Sequence, residues 1–190
     1  MNITEDLKRI VDNENDLNSK KRKNGVIKSI EKSYSLQKEE YKYTPLLKKI
    51  EKKFNLLAEN KDITSQKSYS EIKKNIDSEF YIICVDGFYK PELSNIPPDI
   101  SIKNFSKLSD SEVDRFEKIY QQHDDSKSDF LSSLNSIIHN DCLTIAVDNN
   151  YLSKECISIV NIIENYEVNN FRKMIFCDKG SEVSFFEYFI

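Results

Sequence analysis

The chain has 190 residues, 38% of them hydrophobic and 32% charged, which is enough apolar material for one core but too little length for two full domains. A net charge of -4 and a pI near 5.4 argue against nucleic acid as the main partner, because neutralising phosphates takes a basic face. No apolar run approaches the roughly 18 residues that a spanning helix needs, and no charged-then-apolar leader is present, so the expectation is a cytosolic protein without membrane contact.

Lysine is concentrated in residues 1 to 78, whereas β-branched and aromatic residues are concentrated in 79 to 190. The pattern predicts an arm and a body. The arm opens with a helix from Thr4 to about Lys23, with Thr4 as N-cap, Glu5 and Asp6 in the first turn, and Leu7, Ile10, Val11 and Leu17 along a narrow apolar stripe. Asn24-Gly25 reads as a stop, after which Val26 to Tyr34 forms a short helix with Val26, Ile27 and Ile30 inward. The Lys20-Lys21-Arg22-Lys23 cluster lies among Glu14, Asp16 and Glu31 and reads as a solvated helix face. Thr44 and Pro45 start a further helix, in which Leu46, Leu47, Ile50 and Phe54 share one face. Residues 58 to 78 are polar and aperiodic, a linker with Tyr69 and Ile72 tacked onto the body.

Phe80 to Val85 is an unbroken apolar run, which suits a strand buried on both faces. Asp86-Gly87 is the favoured pair for a type I′ hairpin turn, Phe88-Tyr89 starts the return strand, and Pro91 ends it. Ile100, Ile102 and Phe105 alternate with polar residues as a half-buried strand does. Ser109 to Glu112 is a capping box that opens a helix running to about Gln122, with Val113, Phe116, Ile119 and Tyr120 inward. A second helix carries Phe130, Leu131, Leu134, Ile137 and Ile138 and ends near His139. Four strand-like runs follow, at Leu143 to Val147, Cys156 to Ile163, Lys173 to Cys177 and Val183 to Ile190. Their spacing suits either a sandwich or the first coils of a parallel β-helix, and periodicity does not choose between them.

The residues offer little to a catalytic reading. There is no G-x-S-x-G elbow, no P-loop and no G-x-G-x-x-G, and the chain has only three glycines. His123 and His139 fall at helix ends, where an imidazole satisfies terminal carbonyls. Asp178, Glu182 and Glu187 could be imagined as a metal-nuclease trio, but no lysine lies at a fitting offset within the last strand. Cys84, Cys142, Cys156 and Cys177 form no C-x-x-C pair, and three of them lie in apolar runs where a thiol behaves as a small buried hydrophobe. No residue is assigned to catalysis, cofactor binding or metal binding, and function is expected to come from binding.

Two motifs carry a resemblance. In the first, a strand meets an Asp-Gly turn and a Pro-Glu-Leu-Ser tetrad, here Val85, Asp86, Gly87, Phe88, Pro91, Glu92, Leu93 and Ser94. In the second, KEEYKYT at 38 to 44 precedes a short helix, with Tyr41 where tryptophan is usual. Together they resemble the SufB/SufD family, the scaffold proteins of iron-sulfur cluster assembly. FLSSLN, matching as Phe130, Leu131, Leu134 and Asn135, fits a helix of that family, and MIFCDKGSEVSFFEYF looks like an early coil of its β-helix.

The resemblance implies an α+β fold with a helical arm and linker at 1 to 76, an α/β domain at 77 to 141, and the start of a right-handed parallel β-helix at 142 to 190. The short lead before KEEYKYT makes the chain most similar to the N-terminal part of the SufD branch. Family members continue through further coils to a C-terminal helical region that docks the SufC ATPase, so a chain ending at Ile190 within SFFEYFI reads as a truncated or split product. The implied partners are a SufB-like subunit and, through the missing region, SufC. The implied cluster belongs to the assembled complex, with none bound by this chain alone. The competing expectation is a free-standing small α/β enzyme or regulatory module that shares only short motifs.

Overall fold

The computed structural model of the chain describes residues 3–13, 23–28, 30, 72–74, 76–123, 130–138, 142–164 and 170–190. It divides into two compact units, residues 1–58 with 109–139 and residues 59–108 with 140–190. The helices of 109–139 therefore group with the N-terminal residues, whereas the sequence boundaries at 76/77 and 141/142 joined the helices at 110–138 to the first strands.

In the first unit, helix α1 spans Ile3–Asp12. It starts one residue early, so Thr4 sits inside the first turn, and it ends at Asp12 instead of running on to Lys23. The Asn13 N–H makes the final helical bond, to the Arg9 carbonyl at 3.2 Å. Asparagine at 13 and 15 is a poor helix former, which accounts for the early stop. Leu7 and Val11 of the expected stripe are fully buried, and α1 packs against α3, Phe130–Ile138.

Residues 23–28 are helical. The expected stop at Asn24-Gly25 is therefore corrected, since both lie inside this turn. Val26, Ile27 and Ile30 are buried as expected, and that burial outweighs the roughly 1 kcal/mol that glycine costs a helix. Helix α2 spans Asp110–His123 behind the expected capping box. The Ser109 N–H and hydroxyl both donate to Glu112 Oε2, at 2.9 and 2.7 Å. Leu134, Ile137 and Ile138 of α3 are buried, but Leu131 is exposed, against expectation. The helix expected after Pro45, with KEEYKYT before it, and the inward placement of Ile119 and Tyr120 lie outside the described residues.

The second unit is built on strand β1, Tyr81–Val85. Ile82 and Cys84 face one apolar cluster while Ile83 and Val85 face another, so the unbroken run is buried on both sides. Asp86 and Gly87 both have positive φ, 46° and 87°, and two residues return the chain into β2, Phe88–Tyr89, with Val85 opposite Phe88. A Cβ at Gly87 would meet the Asn170 carbonyl oxygen at 3.2 Å. The remaining strands are β3 (Ile100–Asn104), β4 (Leu143–Val147), β5 (Ile157–Ile162), β6 (Lys173–Cys177) and β7 (Phe185–Phe189).

Sheet A has the order β2-β1-β5-β7 and sheet B the order β3-β4-β6. Their inner faces share one core, in which Ile82, Cys84, Ile157 and Ile159 of sheet A meet Ile100, Ile102, Leu143, Ile145 and Val147 of sheet B. The fold is mixed α+β with two open sheets. From β4 onward the chain alternates between them. β6 lies parallel to β4 with Lys173 opposite Leu143, 30 residues apart, and β7 lies parallel to β5 with Phe185 opposite Ile157, 28 residues apart.

The turns that leave β4 and β6 stack in the same way. Asn150 and Gly180 both take positive φ, 58° and 74°, and the Asn150 N–H donates to the Lys179 carbonyl at 3.1 Å. Asparagine and glycine are the residues that tolerate this backbone. No described helix is long and apolar enough to cross a membrane.

Candidate functional site

The Pro-Glu-Leu-Ser tetrad has a specific physical task. Pro91–Leu93 forms a single 3-10 turn, which swings Ser94 back over the hairpin. There the Ser94 hydroxyl accepts the Ile83 N–H at 2.9 Å and donates to the Lys90 carbonyl at 2.8 Å. Asn95 continues the same edge, its N–H and carbonyl pairing with Tyr81 at 2.9 and 2.7 Å. The tetrad thereby completes the hydrogen bonding of a strand whose return partner is only two residues long. This satisfies buried backbone groups that would otherwise be costly.

A second arrangement is polar and lies between the two sheets. Asn161 of β5 is fully buried. Its amide Nδ2 donates to Glu187 Oε1 of β7 at 2.7 Å, and its Oδ1 accepts from Lys173 Nζ of β6 at 3.0 Å. Lys173 closes the triangle onto Glu187 Oε1 at 2.7 Å, with the lysine side chain 12% exposed and the glutamate 40%. The ammonium also stands 5.0 Å from the Phe171 ring centroid, and Phe171 meets Phe189 edge to face at 5.3 Å.

Burial alone would push the Glu187 carboxyl up, but hydrogen bonds from Lys173 and Asn161 and the lysine charge outweigh it and hold it below the usual carboxylate range. Nearby, Cys84 is pushed up to about 11, chiefly by burial, with the Lys173 charge opposing and the Glu187 charge adding. This thiol is kept neutral and makes a poor nucleophile.

The expected acidic trio is not brought together as a trio. Glu187 joins Lys173 and Asn161, while Glu182 is exposed and bridges to Leu152, its N–H donating to the Tyr151 carbonyl at 2.7 Å. Asp178 opens the turn after β6 and its carbonyl accepts from the Ser181 N–H and hydroxyl at 3.1 and 2.6 Å. Among the described residues no group of three or more His, Cys, Asp or Glu is placed to hold a metal ion.

Cys84 and Cys142 are buried free thiols, but Cys156 and Cys177 are exposed. The expectation of buried thiols is corrected for those two: Cys156 precedes β5, and Cys177 ends β6, the last strand of sheet B. The side chains of His123 and His139 lie outside the described residues, and with them the capping assignment.

Sequence reasoning passed over Asn161 and Lys173. The strand patterns carry little signal for either, since ISIVNI also holds the polar Ser158 and Lys173 opens KMIFC, where a polar residue is ordinary. The lysine partner for Glu187 comes from the preceding strand and the other sheet, not from the last strand.

One further surface stands out. β6 and β7 are edge strands of the described sheets, and Ile175, Phe189 and Ile190 on or next to them are 47 to 54% exposed. Apolar side chains exposed along an edge strand form a candidate interaction surface.

No curated protein matches the chain. Residues 5–159 match the family model described as the SufBD protein N-terminal region. That span holds the Asp-Gly hairpin, the tetrad that fixes it, both described helices of 109–139, all of β4 and the first half of β5. With well over half of the chain matched, the protein belongs to the SufB/SufD family.

Proposed function

We propose that the chain is a SufD-like scaffold component of the iron-sulfur cluster assembly machinery and works by protein-protein contact in the cytosol rather than by catalysis. The observation that carries this reading is the family match over residues 5–159. The two-sheet stack is, in this reading, the beginning of a right-handed parallel β-helix. The alternation of the chain between sheets, the parallel ladders of 30 and 28 residues and the superposed turns at Asn150 and Gly180 support it, because each is what a coil laid on a coil requires. The apolar surface on β6 and β7 is where further coils or a SufB-like subunit would stack.

The cluster is then cargo of the assembled complex, built with a SufB-like subunit while the SufC ATPase supplies the hydrolysis. Affinity capture tests the reading. The chain, immobilised by its N-terminus, is offered purified SufB and SufC separately and together. Retention of SufB is expected, with no retention of SufC by the chain alone. Failure to retain SufB in either mixture would remove the scaffold assignment, and capture of SufC alone would move the functional surface into residues 1–190.

A further inference from the structure

Ser158 is the small member of a row that crosses the outer face of sheet A. It stands opposite Tyr81 of β1 on one side and Phe186 of β7 on the other, with neighbouring strands about 4.8 Å apart. A serine between two aromatic residues leaves a slot. The slot opens into a groove of about 380 Å3 lined by Asp77, Ser78, Cys156, Ser158, Phe186 and Tyr188, which lies at the small end of ligand sites. The Ser78 and Ser158 hydroxyls are 2.7 Å apart on its floor. The Phe186 and Tyr188 rings form one wall, with centroids 5.6 Å apart and planes tilted by 41°.

The charge of the groove comes from Asp77. This residue is exposed and forms no ion pair among the described residues. The Tyr188 phenol is held above its ordinary value by burial and then by the Asp77 charge, so the carboxylate acts on the aromatic wall. The same face of the sheet already carries a cation on a ring, since Lys73 Nζ sits 5.7 Å from the Tyr81 centroid. A carboxylate, two hydroxyls and exposed aromatic faces disfavour anionic ligands and suit a flat cation that donates hydrogen bonds from its edge while stacking on its face. Guanidinium does both at once, and ammonium does not.

We propose that this groove binds an arginine side chain presented by a protein partner. The site lies on the outer face of sheet A and does not depend on the scaffold assignment above. It is tested on the full chain by following backbone amide resonances during titration with the capped tripeptide Gly-Arg-Gly. The control is the same peptide with citrulline in place of arginine, where a neutral urea keeps the shape and loses the charge.

The arginine peptide should shift Ser78, Ser158, Phe186 and Tyr188 saturably, and the citrulline peptide should bind about tenfold more weakly. Asp77→Asn, an isosteric change at an exposed position, should weaken the arginine peptide by a similar factor, and Phe186→Ser should abolish the shifts. Equal binding of the two peptides, indifference to Asp77→Asn, or no response at the groove residues overturns the proposal.

Discussion

Lys173 of β6 and Asn161 of β5 belong to different sheets, yet Lys173 Nζ donates to Asn161 Oδ1 at 3.0 Å inside the stack. The contact ties the second layer of strands to the first at a point where the core would otherwise be apolar. Because Asn161 is fully buried, its oxygen has no solvent to fall back on. Removing the donor therefore costs more than the bond itself contributes.

Lys173→Met should destabilise the protein by about 1–3 kcal/mol, the cost of a buried polar atom left without a partner. A double-mutant cycle with Glu187→Gln should give a coupling of roughly 0.5–3 kcal/mol between the two positions. Urea titrations of the four proteins measure both, and additive losses would show that the triangle does not act as a unit.

The depressed Glu187 carboxyl makes a pH prediction with a definite sign. Its folded value lies below its unfolded one, so the charged group stabilises the fold above the unfolded value of about 4.3. That contribution is lost as pH falls through the lower folded value. Stability measured across the acid range should therefore decline less steeply in Glu187→Gln than in the wild type. The difference should be small, since the side chain is 40% exposed, and parallel acid limbs would contradict it.

Thiol reactivity separates the cysteines. An aromatic disulfide reagent should titrate Cys156 and Cys177 in the native protein and reach Cys84 and Cys142 only after denaturation, following their burial. Cys84, raised to about 11, should resist even at mildly alkaline pH. Rapid native modification of Cys84, identified by mass spectrometry, would be incompatible with its place between the sheets.

The tetrad makes a local prediction. Ser94→Ala strips the acceptor from the Ile83 N–H and should cost about 1–3 kcal/mol, while Ser94→Thr, which keeps the hydroxyl, should cost less. The melting transitions of the two variants decide it, and equal losses would show that the hydroxyl is not the reason for the serine.

Gly87→Val places a β-branched residue at a φ of 87° and against the Asn170 carbonyl oxygen. It should destabilise by about 1 kcal/mol or more. An unchanged denaturation midpoint would remove the steric argument for this turn.

The elements that the sequence determined by itself are those whose physics is local. Phe80 to Val85 announces a strand buried on both faces because no polar residue interrupts it, and Asp86-Gly87 announces its turn because two adjacent positive φ values need those residue types. Ser109 and Glu112 announce a helix start because each satisfies the other's free groups within one turn. Tertiary structure alone decided what depends on which strands become neighbours. Lys173 reads in sequence as an ordinary polar strand opening, and becomes an interior donor only because β6 is laid beside β4 and opposite β5. Cys156 and Cys177 read as core thiols because they adjoin apolar runs, and become exposed because one precedes its strand and the other ends the last strand of its sheet. Gly25 reads as a stop because of its backbone freedom, yet remains helical because the burial of Val26, Ile27 and Ile30 outweighs a propensity of about 1 kcal/mol. Burial and partnership are set by residues far away in the chain, and a local pattern does not contain them.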